Sequence, residues 1–243
     1  MVTKAIIKAV ELHNGQIRKG GGNAGGARDG ADRGAAGGAN DAGANHGAGG
    51  AGANDAALDA TDALAADTPN ARPIPYIVHP LEVGFIVSRY SSSPEFIAAA
   101  ILHDTVEDCD YTITQLEKDF GPEVKELVSR LSEDKSIKDW SERKQENLKR
   151  LRENRDALFI KSADALANMN SLIEAIREEG PEVWSRFNAG KAQKLAYFRA
   201  ILDASEEFLP RKHLEEIVSA IKDLEYSESW ETPRQHRLGF LLR

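Results

Sequence analysis

The sequence predicts an all-α fold. Apolar residues recur three and four apart through most of the chain, the period of a helix with one buried face. Helix-start and helix-stop residues punctuate these segments, and no convincing strand-like alternation of apolar and polar residues occurs.

Residues 2–13 read as a first amphipathic helix. The pattern then stops. From Gly20 to about Asp67 the chain is mostly Gly, Ala, Asn and Asp, and Gly38-Ala39-Asn40-Asp41-Ala42 recurs as Gly52-Ala53-Asn54-Asp55-Ala56. Such a stretch has almost nothing to bury and cannot offset its ordering entropy. The expectation is a disordered insert at about 20–72, with a short helix near Ala56–Ala66; a repeat fold with a functional face is the alternative. Pro80 can open a helix running to about Tyr90. Ser93-Pro94-Glu95 opens the next, which carries His103-Asp104 and Glu107-Asp108. Thr112 and Gln115 have the spacing of a capping box, Gly121 closes that helix, and Pro122 begins another to about Glu133. Helices follow at about 139–153, 155–178, 190–205 and 211–224. Leu158, Ile160, Ala163, Leu166, Ala167 and Met169 form the apolar face of the longest. One domain, 1–224, is expected, followed by a tail, 225–243, whose Leu238, Phe240, Leu241 and Leu242 are available to dock on the domain or on a partner.

Composition excludes several functions. A net charge of -8 over 243 residues argues against general nucleic-acid binding, while leaving room for a local basic pocket. The single cysteine, Cys109, permits neither an intrachain disulfide nor a four-cysteine zinc site, which fits a reducing cytoplasm. It reads as a space-filling residue rather than a nucleophile. No apolar run approaches the ~18 residues of a membrane span, and the N-terminus lacks a secretory signal. Oligomeric state stays open.

The chemistry is concentrated at Leu102-His103-Asp104-Thr105-Val106-Glu107-Asp108. In a continuous helix Glu107 stacks over His103 and Asp108 over Asp104. Charges closing an apolar run are costly unless paired or bound to metal. Tyr76-Ile77-Val78-His79-Pro80 adds a histidine at a helix start, and Lys161-Ser162-Ala163-Asp164 adds a carboxylate on a long helix. His79, His103, Asp104 and Asp164 make a mixed imidazole–carboxylate set suited to Mn, Fe, Ni or Zn more than Ca. Such an ion makes water acidic near neutral pH. Each piece alone is weak: a His-Pro usually just starts a helix. Lys135, Lys138, Arg143, Lys144 and Lys149 read mostly as an exposed charged face.

The order of these pieces resembles the HD superfamily of metal-dependent phosphohydrolases. Within it, the chain is most similar to the (p)ppGpp hydrolase domain of the RelA/SpoT group, especially the small stand-alone SpoT-homologue hydrolases. The runs that carry the likeness are Ala9–Lys19, Pro75–Val83, Leu102–Asp108, Phe120–Val124, Asp134-Lys135 with Arg143-Lys144, and Ile160–Asn168. The resemblance implies an HD-domain helical bundle in which His79, His103, Asp104 and Asp164 hold one metal ion, commonly manganese. It implies that Glu107 and Asp108 position and activate the attacking water. It places Arg18 and Lys19 at the nucleotide, Lys135, Lys161 and Asn168 near the substrate or behind the metal, and Tyr197 as an aromatic near the nucleotide. The implied reaction removes pyrophosphate from the 3′ position of ppGpp or pppGpp, giving GDP or GTP. Rivals are another HD activity, such as an NADPH or nucleotide phosphatase, a catalytically silent nucleotide-binding regulator, and an interaction scaffold built on the insert. The chain departs from the family pattern twice: by the insert after Arg18-Lys19, and by Ala165 where a lysine often follows the aspartate.

Overall fold

A computed structural model describes residues 1–18, 74–187 and 189–230. The expected insert, Lys19 and the end of the tail lie outside the described residues. The described chain is helical, with ten α-helices: α1 (Val2–Leu12), α2 (Val78–Ser88), α3 (Pro94–Ile101), α4 (Thr105–Asp108), α5 (Ile113–Phe120), α6 (Pro122–Leu131), α7 (Trp140–Leu151), α8 (Arg155–Glu179), α9 (Lys191–Ser205) and α10 (Arg211–Tyr226). A 3₁₀ turn at Pro181–Arg186 joins α8 to the segment before α9, and another at Ser227–Ser229 follows α10.

The central element is α8, against which α2, α6, α7, α9 and α10 pack. Its sequence predicts this: apolar or small residues occupy most faces, so the helix must be covered nearly all round. Asn154 caps it by accepting from the Ala157 N–H at 2.9 Å. Gly180, with φ of 102°, ends it. The Thr112–Gln115 capping box is present at the start of α5, and Gly121, at φ 89°, separates α5 from α6.

Two expected elements begin or end elsewhere. The second helix starts at Val78, so His79 sits in its first turn rather than before it. The helix from Pro94 does not run through the acidic cluster but stops at Ile101, and α4 is a separate single turn. Local side chains compete for the backbone there: His103 Nδ1 donates to the Ala100 carbonyl at 2.8 Å, and Thr105 Oγ1 to the Leu102 carbonyl at 2.7 Å.

Among the described residues no strand forms. One isolated antiparallel bridge pairs Ile17 with Pro75, and Arg18 N donates to Ile74 O and Tyr76 N to Gln16 O, each at 3.0 Å. The two ends between which residues 19–73 intervene are therefore tied together. An insertion between adjacent ends leaves the packing of the remaining chain intact.

Packing is closest where α2 meets α3. A Cβ added to Gly84 would stand 2.5 Å from Ile101 Cγ1. Gly84→Ala gains about 1 kcal/mol of helix propensity, but the overlap costs about 1–3 kcal/mol. We expect a net loss of up to about 2 kcal/mol, read as a lower urea midpoint at unchanged slope.

His213 offers a second test. It is fully buried and stacks on Phe159 at 5.2 Å between ring centroids. Ser162 Oγ donates to the Phe159 carbonyl at 2.7 Å, so it accepts from His213 Nε2–H at 2.9 Å, leaving Nδ1 without a partner. Burial pulls the imidazole down to about 4. The unfolded chain, near 6.5, then binds a proton that the folded chain refuses, so stability is full above pH 6.5 and falls as pH drops toward 4. At pH 5 this loss is about 2 kcal/mol. His213→Gln keeps a donor for Ser162 and cannot charge, so denaturant unfolding of this variant should lose about 2 kcal/mol less than the parent between pH 7 and pH 5.

Candidate active site

The break between α3 and α4 is what aims the candidate ligands. Because His103 Nδ1 donates to a carbonyl, its proton is on that nitrogen and Nε2 presents a lone pair to the interior. Asp104 N-caps α4. His79 arrives from the first turn of α2, and Asp164 from the middle of α8. One donor atom each from His79, His103 and Asp164 lie within 4.8 Å of one another. Asp164 Oδ1 is 3.2 Å from His79 Nε2 and 3.8 Å from His103 Nε2. Asp104 borders this group, its Oδ2 being 3.9 Å from His103 Nε2.

The surrounding side chains hold the carboxylates in place. Lys161 Nζ donates to Asp164 Oδ2 at 2.9 Å, and Asn168 Nδ2 to Asp164 Oδ1 at 2.8 Å. Burial alone would raise the Asp164 carboxyl, but Lys161 and the two imidazoles hold it well below the usual range. Tyr76 Oη donates to Asp104 Oδ2 at 2.6 Å, while His13 Nε2 lies 3.3 Å from Asp104 Oδ1. His13 Nδ1 donates to Gln16 Oε1 at 2.7 Å. Burial opposes charge on His13, yet the nearby Asp104 carboxylate, Cys109 and Gln16 prevail and raise it to about 10. Asp104 Oδ1 is buried and accepts no well-aligned hydrogen bond. Two imidazoles and two carboxylates, one with an oxygen still unsatisfied, fit a divalent cation of the first transition row better than Ca²⁺.

Glu107, Asp108, Glu133, Lys144 and Tyr197 join these residues around a cavity of about 70 Å³. Burial first, then the neighbouring Glu133, push the Glu107 carboxyl up to about 7. Its Oε1 accepts from the Glu133 N–H at 2.8 Å. Burial and Asp104 also raise Asp108, against Lys135, whose Nζ is 3.7 Å away. Lys135 is exposed and donates to the Glu107 carbonyl at 2.5 Å.

Of the residues singled out from sequence, His79, His103, Asp104, Glu107, Asp108, Lys161, Asp164, Asn168 and Tyr197 line this one cavity. Lys135 stands beside it, holding the Glu107–Asp108 turn. Arg18 does not line it: the side chain is buried elsewhere, with Nη1 donating to Ser171 Oγ at 2.7 Å. Lys19 is outside the described residues. Arg143 and Lys144 are not part of an exposed face; both are buried against Glu133, at 3.1 and 2.7 Å. Asn147 makes this possible by donating to the Arg130 and Leu131 carbonyls, each at 3.2 Å, which fixes the chain entering Glu133. His13, Tyr76, Glu133 and Lys144 carried no role from the sequence. Only the run of like residues around His13 and Tyr76 marked them, since their partners are distant in the chain.

A helical domain that gathers a His-His-Asp donor group beside an acidic pair defines a divalent-metal site on an all-α scaffold. The chain belongs to the HD domain family, whose pattern matches residues 57–193. It is similar to the guanosine-3′,5′-bis(diphosphate) 3′-pyrophosphohydrolase MESH1 of Mus musculus, 34% identical over 100 residues, covering 40% of this chain and 56% of that protein. It is 37% identical over 113 residues to the Danio rerio MESH1, covering 46% of this chain and 61% of the relative. The matches thus span little more than half of these curated relatives. Among solved structures, lmo0812 from Listeria monocytogenes EGD-e is 30% identical, with a TM-score of 0.54 over 63% of this chain and 99% of that one. A metazoan SpoT ortholog shares the fold at 20% identity, with a TM-score of 0.58 over 91% of this chain and 93% of that one. No helix among the described residues is long and apolar enough to cross a membrane.

Tyr76 and His13 hold Asp104; with Asp104 as a ligand, Tyr76→Phe should weaken binding of Mn²⁺ or Co²⁺ to the metal-stripped protein by about 10–100-fold in a calorimetric titration. Asp164→Ala should abolish it.

Proposed function

We propose that this chain is a metal-dependent phosphohydrolase that removes pyrophosphate from the 3′ position of guanosine tetra- or pentaphosphate, releasing GDP or GTP, with Mn²⁺ as the ion. The observation that carries this reading is the single cavity joining the His79–His103–Asp164 group, with Asp104 at its edge, to the Glu107–Asp108 pair and to Lys144 and Lys161. The names of the MESH1 relatives support the substrate. The lone, half-buried Cys109 fits a reducing cytoplasmic setting.

His79, His103, Asp104 and Asp164 would hold the ion. When bound, it supplies Lewis acidity, polarising a phosphoryl group and making water a nucleophile near neutral pH. The chain's own residues do the rest. Lys161 and Asn168 orient Asp164; His13 and Tyr76 orient Asp104. Glu107, raised to about 7, is suited to take a proton from the attacking water, with its Oε1 anchored on the Glu133 N–H. Asp108 shares the task, and Lys135 steadies the turn that presents both. Lys144 and Lys161 bring positive charge to a polyanion in an otherwise acidic protein. Tyr197 Oη is buried in the cavity wall without a partner and can donate to a substrate oxygen. Arg18, buried against Ser171, stands outside this cavity.

The test is pyrophosphate release from ppGpp by the purified chain with Mn²⁺. Release should vanish in His103→Ala/Asp104→Ala and fall about 10²–10⁴-fold in kcat for Glu107→Gln. Phosphate release from NADPH in place of pyrophosphate from ppGpp would reassign the site to a sibling activity. Silence on both substrates from folded, metal-loaded protein would make it a binding domain.

A further inference from the structure

A second cleft of about 500 Å³ lies along another flank of α8, walled by α2 and α10. Its charged lining is four carboxylates, Glu82, Glu174, Glu216 and Asp223, against two guanidinium groups, Arg89 and Arg177. Each arginine is already committed to one carboxylate: Arg89 to Glu216 at 2.5 Å and Arg177 to Asp223 at 3.7 Å. Glu82, bonded to Asn170, and Glu174 share the one buried guanidinium of Arg18 behind them, so the lining keeps an excess of one carboxylate, with apolar surface from Leu166, Ile173 and Ala220 between them and α10. The cleft therefore suits a basic segment that also carries large apolar side chains.

The described chain ends beside this cleft. After α10, Ser227 Oγ donates to the Leu224 carbonyl at 2.8 Å and accepts from Trp184 Nε1 at 3.4 Å, which turns the chain back. Trp230 then lies under the Arg177 guanidinium, 5.2 Å from the ring centroid, and Arg177 is part of the cleft wall. The next residues, Glu231 to Arg243, carry three arginines, one glutamate, and Leu238, Phe240, Leu241 and Leu242. Thirteen residues reach at most about 45 Å, well beyond the ~24 Å length of α10. The other segment outside the described residues, 19–73, fits poorly. It carries seven aspartates against four basic residues, and its large aliphatic side chains are few, Leu58 and Leu64 among them.

We propose that the cleft between α2, α8 and α10 is a docking groove for the chain's own segment 231–243. The apolar side chains of Leu238–Leu242 cover Leu166, Ile173 and Ala220, and Arg234 and Arg237 face Glu174 and Glu82. Tethering makes this contact easy to hold. A short flexible link gives an effective concentration on the order of 1 mM, so a free-peptide Kd of about 0.1 mM keeps the segment docked about nine-tenths of the time. The groove and the candidate active site lie on different faces of α8: Leu166 and Asn170 line the one, Asn168, two residues from each, the other.

The experiment reads docking without reference to activity. Ser219, exposed on the α10 wall, and Phe240 are changed to cysteine in the full chain, and disulfide formation is followed under mild oxidation. A within-chain bond should form about tenfold faster than in a control pairing Phe240→Cys with Lys118→Cys on α5, because only the docked geometry raises the local thiol concentration. Phe240→Cys alone accounts for any pairing with Cys109. About 1 M salt, which shortens screening to ~3 Å, should slow the reaction, as should Arg234→Glu/Arg237→Glu. Adding Glu82→Lys/Glu174→Lys to that charge-reversed chain should restore the rate. Equal rates for the Ser219 and Lys118 pairs would overturn the proposal. So would bonds that form only between two chains, which would make the occupant a second copy.

Discussion

Asp164 is a carboxylate buried in the middle of the longest helix, and an ion in that position must be paired and hydrogen-bonded or it costs several kcal/mol. Both of its oxygens are engaged: Oδ2 by Lys161 one turn before it, Oδ1 by Asn168 one turn after it and by His79 from α2. Much of the site follows from this. Lys161 and Asn168 share the Asp164 face of α8 by helical spacing, so two of the three partners come with the helix itself. The third requires α2 to dock with its first turn over that face. Gly84 permits the docking by letting α2 approach Ile101 of α3. The same approach brings His103 within 5.3 Å of His79, ring to ring.

The acidic pair obeys a different constraint. Glu107 and Asp108 belong to a single helical turn that could not stand alone, and they are held by residues that come later in the chain. The Glu133 N–H binds Glu107, Lys135 binds the Glu107 carbonyl, and Arg143 and Lys144 neutralise Glu133 behind them. Burial, helped by the Glu133 carboxylate and opposed by the Glu133 N–H and Lys161, keeps the Glu107 carboxyl protonatable near neutrality while Asp104, a few residues away, stays ionised. The two environments differ in kind: Glu107 faces another carboxylate, Asp104 faces imidazoles. Separating two nearby carboxyls in this way is what acid–base chemistry at neutral pH demands.

Much of this was legible in the chain. The helices announced themselves through period, capping box and proline starts, because those signals are local and strong. Apolar residues on most sides of α8 marked it as the axis. The metal candidates could be named because His-Pro, His-Asp and a buried Asp on a long helix occur in a recognisable order. The continuous helix expected through His103–Asp108 did not form. Histidine and threonine side chains can outbid the backbone for its own carbonyls, and period alone does not reveal where they do. Lys144 and Arg143 looked like solvated charge because their partner, Glu133, lies ten or so residues away across a turn.

The sequence by itself determined the all-α class and most helix boundaries to within a few residues, and it named the candidate ligand and acid–base residues that the fold brings to one cavity. Those depend on propensity, spacing and chemistry that each segment carries alone. Tertiary structure decided which carboxylate is ionised and which is poised. It also decided that His13 and Tyr76 support Asp104, that Arg18 turns to Ser171, and that an acidic groove lies where the described chain ends. These depend on the field and burial at one point in space, contributed by residues up to 153 positions apart. No local reading of the chain contains that sum.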